Sequence, residues 1–75
     1  MIVVYKTRYM PATDTTAAKF KVTCLNTMRS YTTAYDYSVA NPLKHAIHTT
    51  FGEDVSKIEF INDTGKYDRM YAVSL

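Results

Sequence analysis

One segment of the chain carries a helical pattern, and residues that favour helix termini mark both of its ends. Asn41 is a preferred N-cap, and Pro42 suits the first helical position because no N–H donor is needed there. Gly52 favours the left-handed conformation that follows a helix C-cap. Between these ends, side chains at helical spacing form one largely apolar stripe, made by Leu43, Ala46, Ile47, Thr50 and Phe51. We therefore expect a single helix between Asn41 and Gly52.

The residues before this helix alternate in the manner of β-strands. Ile2 to Tyr9 is rich in β-branched and aromatic residues, and Lys19 to Cys24 shows the clearest period-two pattern in the chain. Residues 25–28 predict a turn in which Asn26 tolerates a positive φ, and a return strand follows from about Met28 to Tyr35. The first half of the chain thus predicts three strands.

Two further strands are predicted after the helix, and together the elements define the fold class. The fourth strand begins at Val55 or Lys57 and ends at Asn62, a turn covers 63–66, and the fifth strand runs from Tyr67 to Ser74. Residues 1–75 therefore predict a single α+β domain in the order β-β-β-α-β-β, with a five-stranded, mainly antiparallel sheet. One helix covers only one face of such a sheet, so the other face should meet water or a partner.

The cysteine content and the N-terminus favour a cytoplasmic protein. Cys24 is the one cysteine among 75 residues, whereas small secreted domains are usually held together by several disulfides. The apolar run that begins at Met1 ends at Lys6, which is too short for a signal peptide or a membrane span. We expect a protein of the reducing cytoplasm with no membrane association.

The sequence contains no pattern that is typical of an enzyme or a metal site. His45 and His48 fall on the polar side of the predicted helix without a carboxylate or cysteine at ligand spacing. Cys24 alternates with apolar residues and predicts a buried thiol, while Gly52 and Gly65 are too far apart for a phosphate loop. We expect no catalytic residue, no cofactor and no metal; the alternative is a small enzyme whose site is assembled by oligomerisation.

Basic and aromatic residues of the first three strands form the candidate binding face. Residues 1–35 carry five basic side chains against one acidic, whereas residues 36–75 carry four basic against six acidic. If the strands align, cations and tyrosines share the polar side of the sheet, and the set comprises Lys6, Arg8, Lys19, Lys21, Arg29, Tyr31 and Tyr35. Such a face suits a protein partner, in which Tyr and Arg are enriched, or weak binding of single-stranded DNA or RNA. A merely solvated face is the third possibility.

The opening of the chain resembles a group of short bacteriophage and mobile-element proteins. The resemblance lies in Lys6–Thr15, which follows the pattern K-T-x-Y-x-x-A-T-[DN]-T, in the basic strand Lys19–Val22, in Tyr35–Tyr37 and in His45. It implies a viral protein that acts in the cytoplasm of a bacterial host. Apart from the resemblance, we expect a monomer or a homodimer. Small phage proteins of this kind often inhibit or adapt a host protein, including CRISPR and other defence systems. The resemblance implies a setting rather than a chemical activity.

Overall fold

A computed structural model describes all residues, Met1–Leu75, and shows an α+β fold with five strands and one helical region. The predicted order of elements is confirmed. The strands are β1 (Ile2–Met10), β2 (Lys19–Cys24), β3 (Arg29–Ala34), β4 (Lys57–Asp63) and β5 (Asp68–Ser74), and the helix α1 (Pro42–Ala46) continues into a π-helical segment (Ile47–Phe51). No helix in the protein combines the length and the apolar character that crossing a membrane requires.

The five strands form one sheet in the order β3-β2-β1-β5-β4, in which every neighbouring pair is antiparallel. The first strand is central and pairs with both β2 and β5. The helical region therefore connects one edge strand, β3, to the opposite edge strand, β4. Because of this crossing, residues distant in sequence meet on the same side of the sheet.

The hydrophobic core lies between the helix and one face of the sheet, here called the inner face. Alternate residues of β1 point toward it, and Val3, Tyr5 and Thr7 are all buried. The core cluster consists of Val3, Tyr5, Val22, Cys24, Leu43, Ala46, Ile47 and Val73. On the same face, the ring of Phe60 in edge strand β4 contacts Tyr71 yet remains 57% exposed. The single helix therefore covers the inner face unevenly, leaving the β4 side open.

The helix follows its predicted start but departs from a regular α-helix in its second half. The Asn41 side chain accepts a hydrogen bond from Lys44 N at 3.2 Å, as expected of an N-cap. In the π-helical segment, the hydroxyl of Thr49 donates to His45 O at 2.9 Å, and that of Thr50 donates to Ala46 O. These hydroxyls occupy carbonyls that an α-helix uses for its backbone ladder. Gly52 ends the segment with φ 70°, as predicted.

The turn between β2 and β3 places the strained residue two positions later than predicted. Met28, not Asn26, has the positive φ of 60°. Met28 N donates to Cys24 O at 2.7 Å and closes a turn of helical type, whose last residue commonly adopts the left-handed conformation. The chain can then return into β3 with Arg29 opposite Cys24. This register decides which side chains of β3 face the core.

Candidate functional site

The four basic residues of β1 and β2 lie together on the outer face of the sheet, opposite the helix. Arg8 is the strand partner of Lys21, and Met10 is the partner of Lys19. Lys6 stands across from Thr23 on the same side. Directly opposed residues of antiparallel strands share a face, so the structure brings Lys6, Arg8, Lys19 and Lys21 together as expected.

The positive charge of this outer face is partly neutralised by carboxylates. Arg8 donates to Asp68 through Nε at 2.7 Å and through Nη2 at 3.0 Å. The hydrogen bond from Arg8 lowers the pKa of Asp68, although burial opposes that shift. Lys57 and Glu59 of β4 form a second pair at 2.5 Å. The outer face therefore presents three lysines free of such pairing, Lys6, Lys19 and Lys21, within a mixed surface.

The other three predicted members of the face, Arg29, Tyr31 and Tyr35, lie on the inner face, so the prediction of one shared surface was wrong. Arg29 and Tyr31 are the strand partners of Cys24 and Val22, whose side chains belong to the core. The Tyr31 ring packs edge-on against Phe51 at 5.0 Å, and Arg29 donates to the Tyr31 hydroxyl. The side chains on both sides of β3 are largely polar, so the alternation in this strand does not indicate which side faces inward.

Tyrosine rings gather on the inner face at the end of the sheet that the helix does not cover. The ring of Tyr9 contacts those of Tyr35 at 4.9 Å and Tyr67 at 5.8 Å, and Tyr35 contacts Tyr37 at 4.8 Å. The hydroxyl groups of Tyr9 and Tyr37 are 2.5 Å apart. Tyr9 N also donates to Tyr67 O at 3.1 Å, which holds the β4–β5 turn beside β1. Four rings are thus fixed by mutual contacts.

These rings line a cleft of about 630 Å³ between the start of the helix and strands β1, β5 and β4. We call it the tyrosine cleft and define it by Tyr9, Tyr35, Tyr37, Tyr67 and Tyr71. Phe20, Leu43 and Ile58 supply apolar surface, and the buried Thr7 also lines it. Its size falls within the range of about 300–1,000 Å³ that is usual for ligand pockets.

The tyrosine cleft is lined by two cations and by no carboxylate. Lys66 lies with its ammonium group 5.2 Å from the centre of the Tyr67 ring. Arg69 Nε is 3.5 Å from Asp63 Oδ1, and the Arg69 side chain stays 62% exposed. Contact with the Tyr71 hydroxyl raises the pKa of Arg69, and the Tyr37 hydroxyl raises the pKa of Tyr9. The cleft therefore combines phenol hydroxyls with two basic side chains.

Sequence reasoning missed this cleft because its residues come from distant positions. Tyr9 lies near the end of β1, Tyr37 follows β3 and Tyr67 precedes β5, and only the strand order brings these three places to one end of the sheet. The available signal was compositional: seven tyrosines in 75 residues, several of them beside strand ends. Composition of that kind indicates an aromatic surface without giving its location.

The two histidines and the cysteine do not line the tyrosine cleft. His45 and His48 are exposed on the helix, and His48 Nδ1 lies 3.3 Å from Asp54 Oδ1. No group of three or more histidine, cysteine or acidic residues is placed to hold a metal ion. Cys24 is buried in the core, and although burial raises the pKa of its thiol, hydrogen bonding with Thr27 lowers it overall.

Comparison of the chain with known protein families, with curated proteins and with solved structures gives no match. The phage setting therefore remains a prediction that rests on the pattern Lys6–Thr15 and the associated residues.

Proposed function

We propose that this protein is a non-enzymatic binding module that contacts a protein partner through the tyrosine cleft. The observation that carries the proposal is the exposure of large aromatic side chains at the mouth of this cleft. Tyr37 is 73% exposed and Tyr67 is 42% exposed, while both contact other rings beneath them. Rings that are exposed and already ordered lose little entropy on binding.

The composition of the cleft supports a protein partner. Tyr and Arg are enriched among the residues that contribute most to protein interfaces, because they combine a large apolar area with hydrogen-bonding groups. The tyrosine cleft has five Tyr and adds Arg69 at its edge. The exposed ring of Phe60 extends apolar surface from Tyr71 toward the edge strand β4. An aromatic surface of this kind is expected to be covered in a complex.

The arrangement of charges favours this proposal over the binding of single-stranded nucleic acid. Single-stranded nucleic acid binds most strongly where rings for stacking and cations for phosphates lie along one groove. Here Lys6, Lys19 and Lys21 lie on the outer face, which carries no aromatic ring, whereas the tyrosine cleft on the inner face is lined by only two cations, one of which is paired with a carboxylate. A strand stacked on the tyrosines would not reach the outer lysines.

The resemblance to phage proteins supports a biological setting for the proposal. In that setting the module acts in the cytoplasm of a bacterial host, and its partner is a host protein that it inhibits or adapts. A component of a defence system such as CRISPR is one such partner. This part of the proposal concerns the identity of the partner and does not affect the assignment of the cleft as the contact surface.

Affinity capture with matched variants tests the proposal. The bait proteins are the wild type, a cleft variant (Tyr37→Ala with Tyr67→Ala) and an outer-face variant (Lys19→Glu with Lys21→Glu), and circular dichroism first establishes that all three are folded. Each is used to capture proteins from a bacterial lysate, and the captured protein is then purified and titrated by calorimetry. We expect a partner that binds the wild type and the outer-face variant and binds the cleft variant at least tenfold more weakly. Equal affinity for the cleft variant would contradict the proposal.

A further inference from the structure

We infer that the tyrosine cleft binds an acidic segment of the partner that carries an aromatic or aliphatic anchor side chain. This inference rests on the proposed function and names the chemistry of the partner at the same site. The cleft lining contains two cations, Lys66 and Arg69, and no acidic residue. A segment with carboxylates beside its anchor complements this charge, whereas a basic segment is repelled.

Both cations are available to a carboxylate. Lys66 is exposed, its ammonium group lies over the Tyr67 ring, and it has no carboxylate within salt-bridge distance. Arg69 Nε lies 3.5 Å from Asp63 Oδ1 and the guanidinium also contacts the Tyr71 hydroxyl, yet the side chain stays 62% exposed, so a carboxylate from solvent can reach it. An arriving carboxylate can therefore accept hydrogen bonds from Arg69 or pair with Lys66. Because Asp63 partly neutralises Arg69, we expect Lys66 to contribute more than Arg69 to the binding of an acidic segment.

The other polar groups at the cleft also favour an acceptor-rich ligand. The Asn41 side chain lines the cleft, and its oxygen already accepts the hydrogen bond from Lys44 N. Its amide –NH₂ therefore remains as a donor. Together with Lys66 and Arg69, Asn41 gives the cleft three side chains that donate, which match carboxylates and the backbone carbonyls of an extended segment.

The apolar interior accounts for the anchor side chain. Phe20, Leu43 and Ile58 line the cleft together with the rings of the five tyrosines. Rings that meet edge to face, as Tyr35 and Phe20 do at 5.5 Å, leave edges and faces that suit a further aromatic or aliphatic group. A purely acidic segment would leave this surface unfilled, so charge and anchor are both required.

Selection from a random peptide library on the wild-type protein tests the inference. Peptides that also bind the cleft variant (Tyr37→Ala with Tyr67→Ala) are removed, and labelled 15-mers of oligo(dT) and oligo(U) are tested in parallel by fluorescence anisotropy. We expect cleft-dependent peptides that are enriched in Asp or Glu around an aromatic or aliphatic residue. Cleft-dependent peptides that are neutral or basic would overturn the inference and leave the proposed function standing. No cleft-dependent peptide at all, or cleft-dependent binding of either oligonucleotide at physiological salt, would overturn it as well.

Charge variants then test the role of Lys66 with a selected acidic peptide as the probe. Lys66→Glu should weaken its binding at least tenfold, and Lys66→Arg should preserve binding within about threefold because the charge is retained. Lys21→Glu makes the same change of charge on the outer face and serves as the control, for which we expect unchanged affinity. Equal loss in Lys66→Glu and Lys21→Glu would show a general charge effect and would overturn the inference.

Discussion

Arg8 and Asp68 form a two-point ion pair across the two central strands, with Nε–Oδ1 at 2.7 Å and Nη2–Oδ2 at 3.0 Å. The two residues are also direct strand partners of β1 and β5. The guanidinium and carboxylate planes match in this geometry, so the pair is both specific and stronger than a single contact. It links the two strands that join the hairpins, and it engages the Nε and Nη2 donors of Arg8.

The stability that this pair contributes should depend on acidity. Because Arg8 lowers the pKa of Asp68, the contribution is present above the ordinary Asp pKa of 3.8 and is lost as the pH falls through the lower value in the folded protein. We expect Asp68→Asn to lower the thermal midpoint at about pH 7, and the difference from the wild type to shrink at about pH 2.5. Thermal unfolding followed by circular dichroism measures both. Asp14→Asn, in an exposed loop, is the control, and a difference that persists unchanged in acid would contradict the assignment.

Removal of a core side chain from the helical region should destabilise the protein severely. Ile47 is fully buried, so Ile47→Ala should cost about 2–5 kcal/mol through lost burial and a residual cavity. A domain of this length has a total stability of about 4–11 kcal/mol, so this change can remove most of it. His45→Ala, on the exposed side of the same helix, should change stability by less than about 0.5 kcal/mol. Urea unfolding measures the stability of both variants. Comparable losses of stability would show that the wrong side of the helix has been assigned to the core.

The elements of the fold could be predicted because their signals are local. Asn41 and Pro42 mark the start of the helix, Gly52 marks its end, and alternation over Lys19–Cys24 identifies that strand to the residue. The π-helical segment was not predictable, because threonines such as Thr49 and Thr50, whose hydroxyls bond to the preceding turn, also occur in regular α-helices. Local pattern thus specified where elements begin and end more reliably than their internal geometry.

The candidate site was only partly predictable because it depends on pairing between strands. Lys6 and Lys21 could be assigned to one face, since each alternates with apolar residues in its own strand. Tyr31 could not, because its strand is polar on both sides and the register follows from the conformation of Met28 in the preceding turn. The tyrosine cleft depends further on the pairing of β1 with β5, a long-range contact without a signal in either segment.

Alkaline pH should lower the free energy of unfolding, because Tyr5 is buried in the core. Burial, and after it the neighbouring Cys24 thiol, raise the pKa of Tyr5 to about 12 from its ordinary value of 10.0. The unfolded chain therefore loses this proton first, and the stabilisation declines between about pH 10 and pH 12. We expect a loss of about 1–2 kcal/mol over this interval. Urea unfolding at both pH values measures it, and Tyr5→Phe, which keeps the ring packed on Phe51, should lose less stability than the wild type.

Replacement of Met28 should stabilise the protein, because this residue adopts the left-handed conformation. Met28 has φ 60° and is exposed, so its side chain contributes little packing to offset the backbone strain. Asn adopts this conformation more readily, and Met28→Asn should therefore raise stability by about 0.5–1 kcal/mol. Urea unfolding provides the measurement. Thr27→Asn, at the adjoining position without a positive φ, should bring no gain, and an equal gain there would point to a different cause.

The last prediction separates a protein partner from single-stranded nucleic acid on the outer face. If Lys6, Lys19 and Lys21 bound phosphates, affinity would fall linearly with salt on logarithmic axes, with a slope of about 0.7 for each phosphate contact. We expect no such binding at physiological salt, because the outer face offers few unpaired cations and no ring on which a base can stack. Fluorescence anisotropy with labelled single-stranded DNA and RNA, from low to physiological salt, is the measurement. Micromolar or tighter binding at physiological salt that disappears in Lys19→Glu with Lys21→Glu would reverse this conclusion. Both side chains point away from the core, so loss of binding in that variant would report the contact itself rather than unfolding.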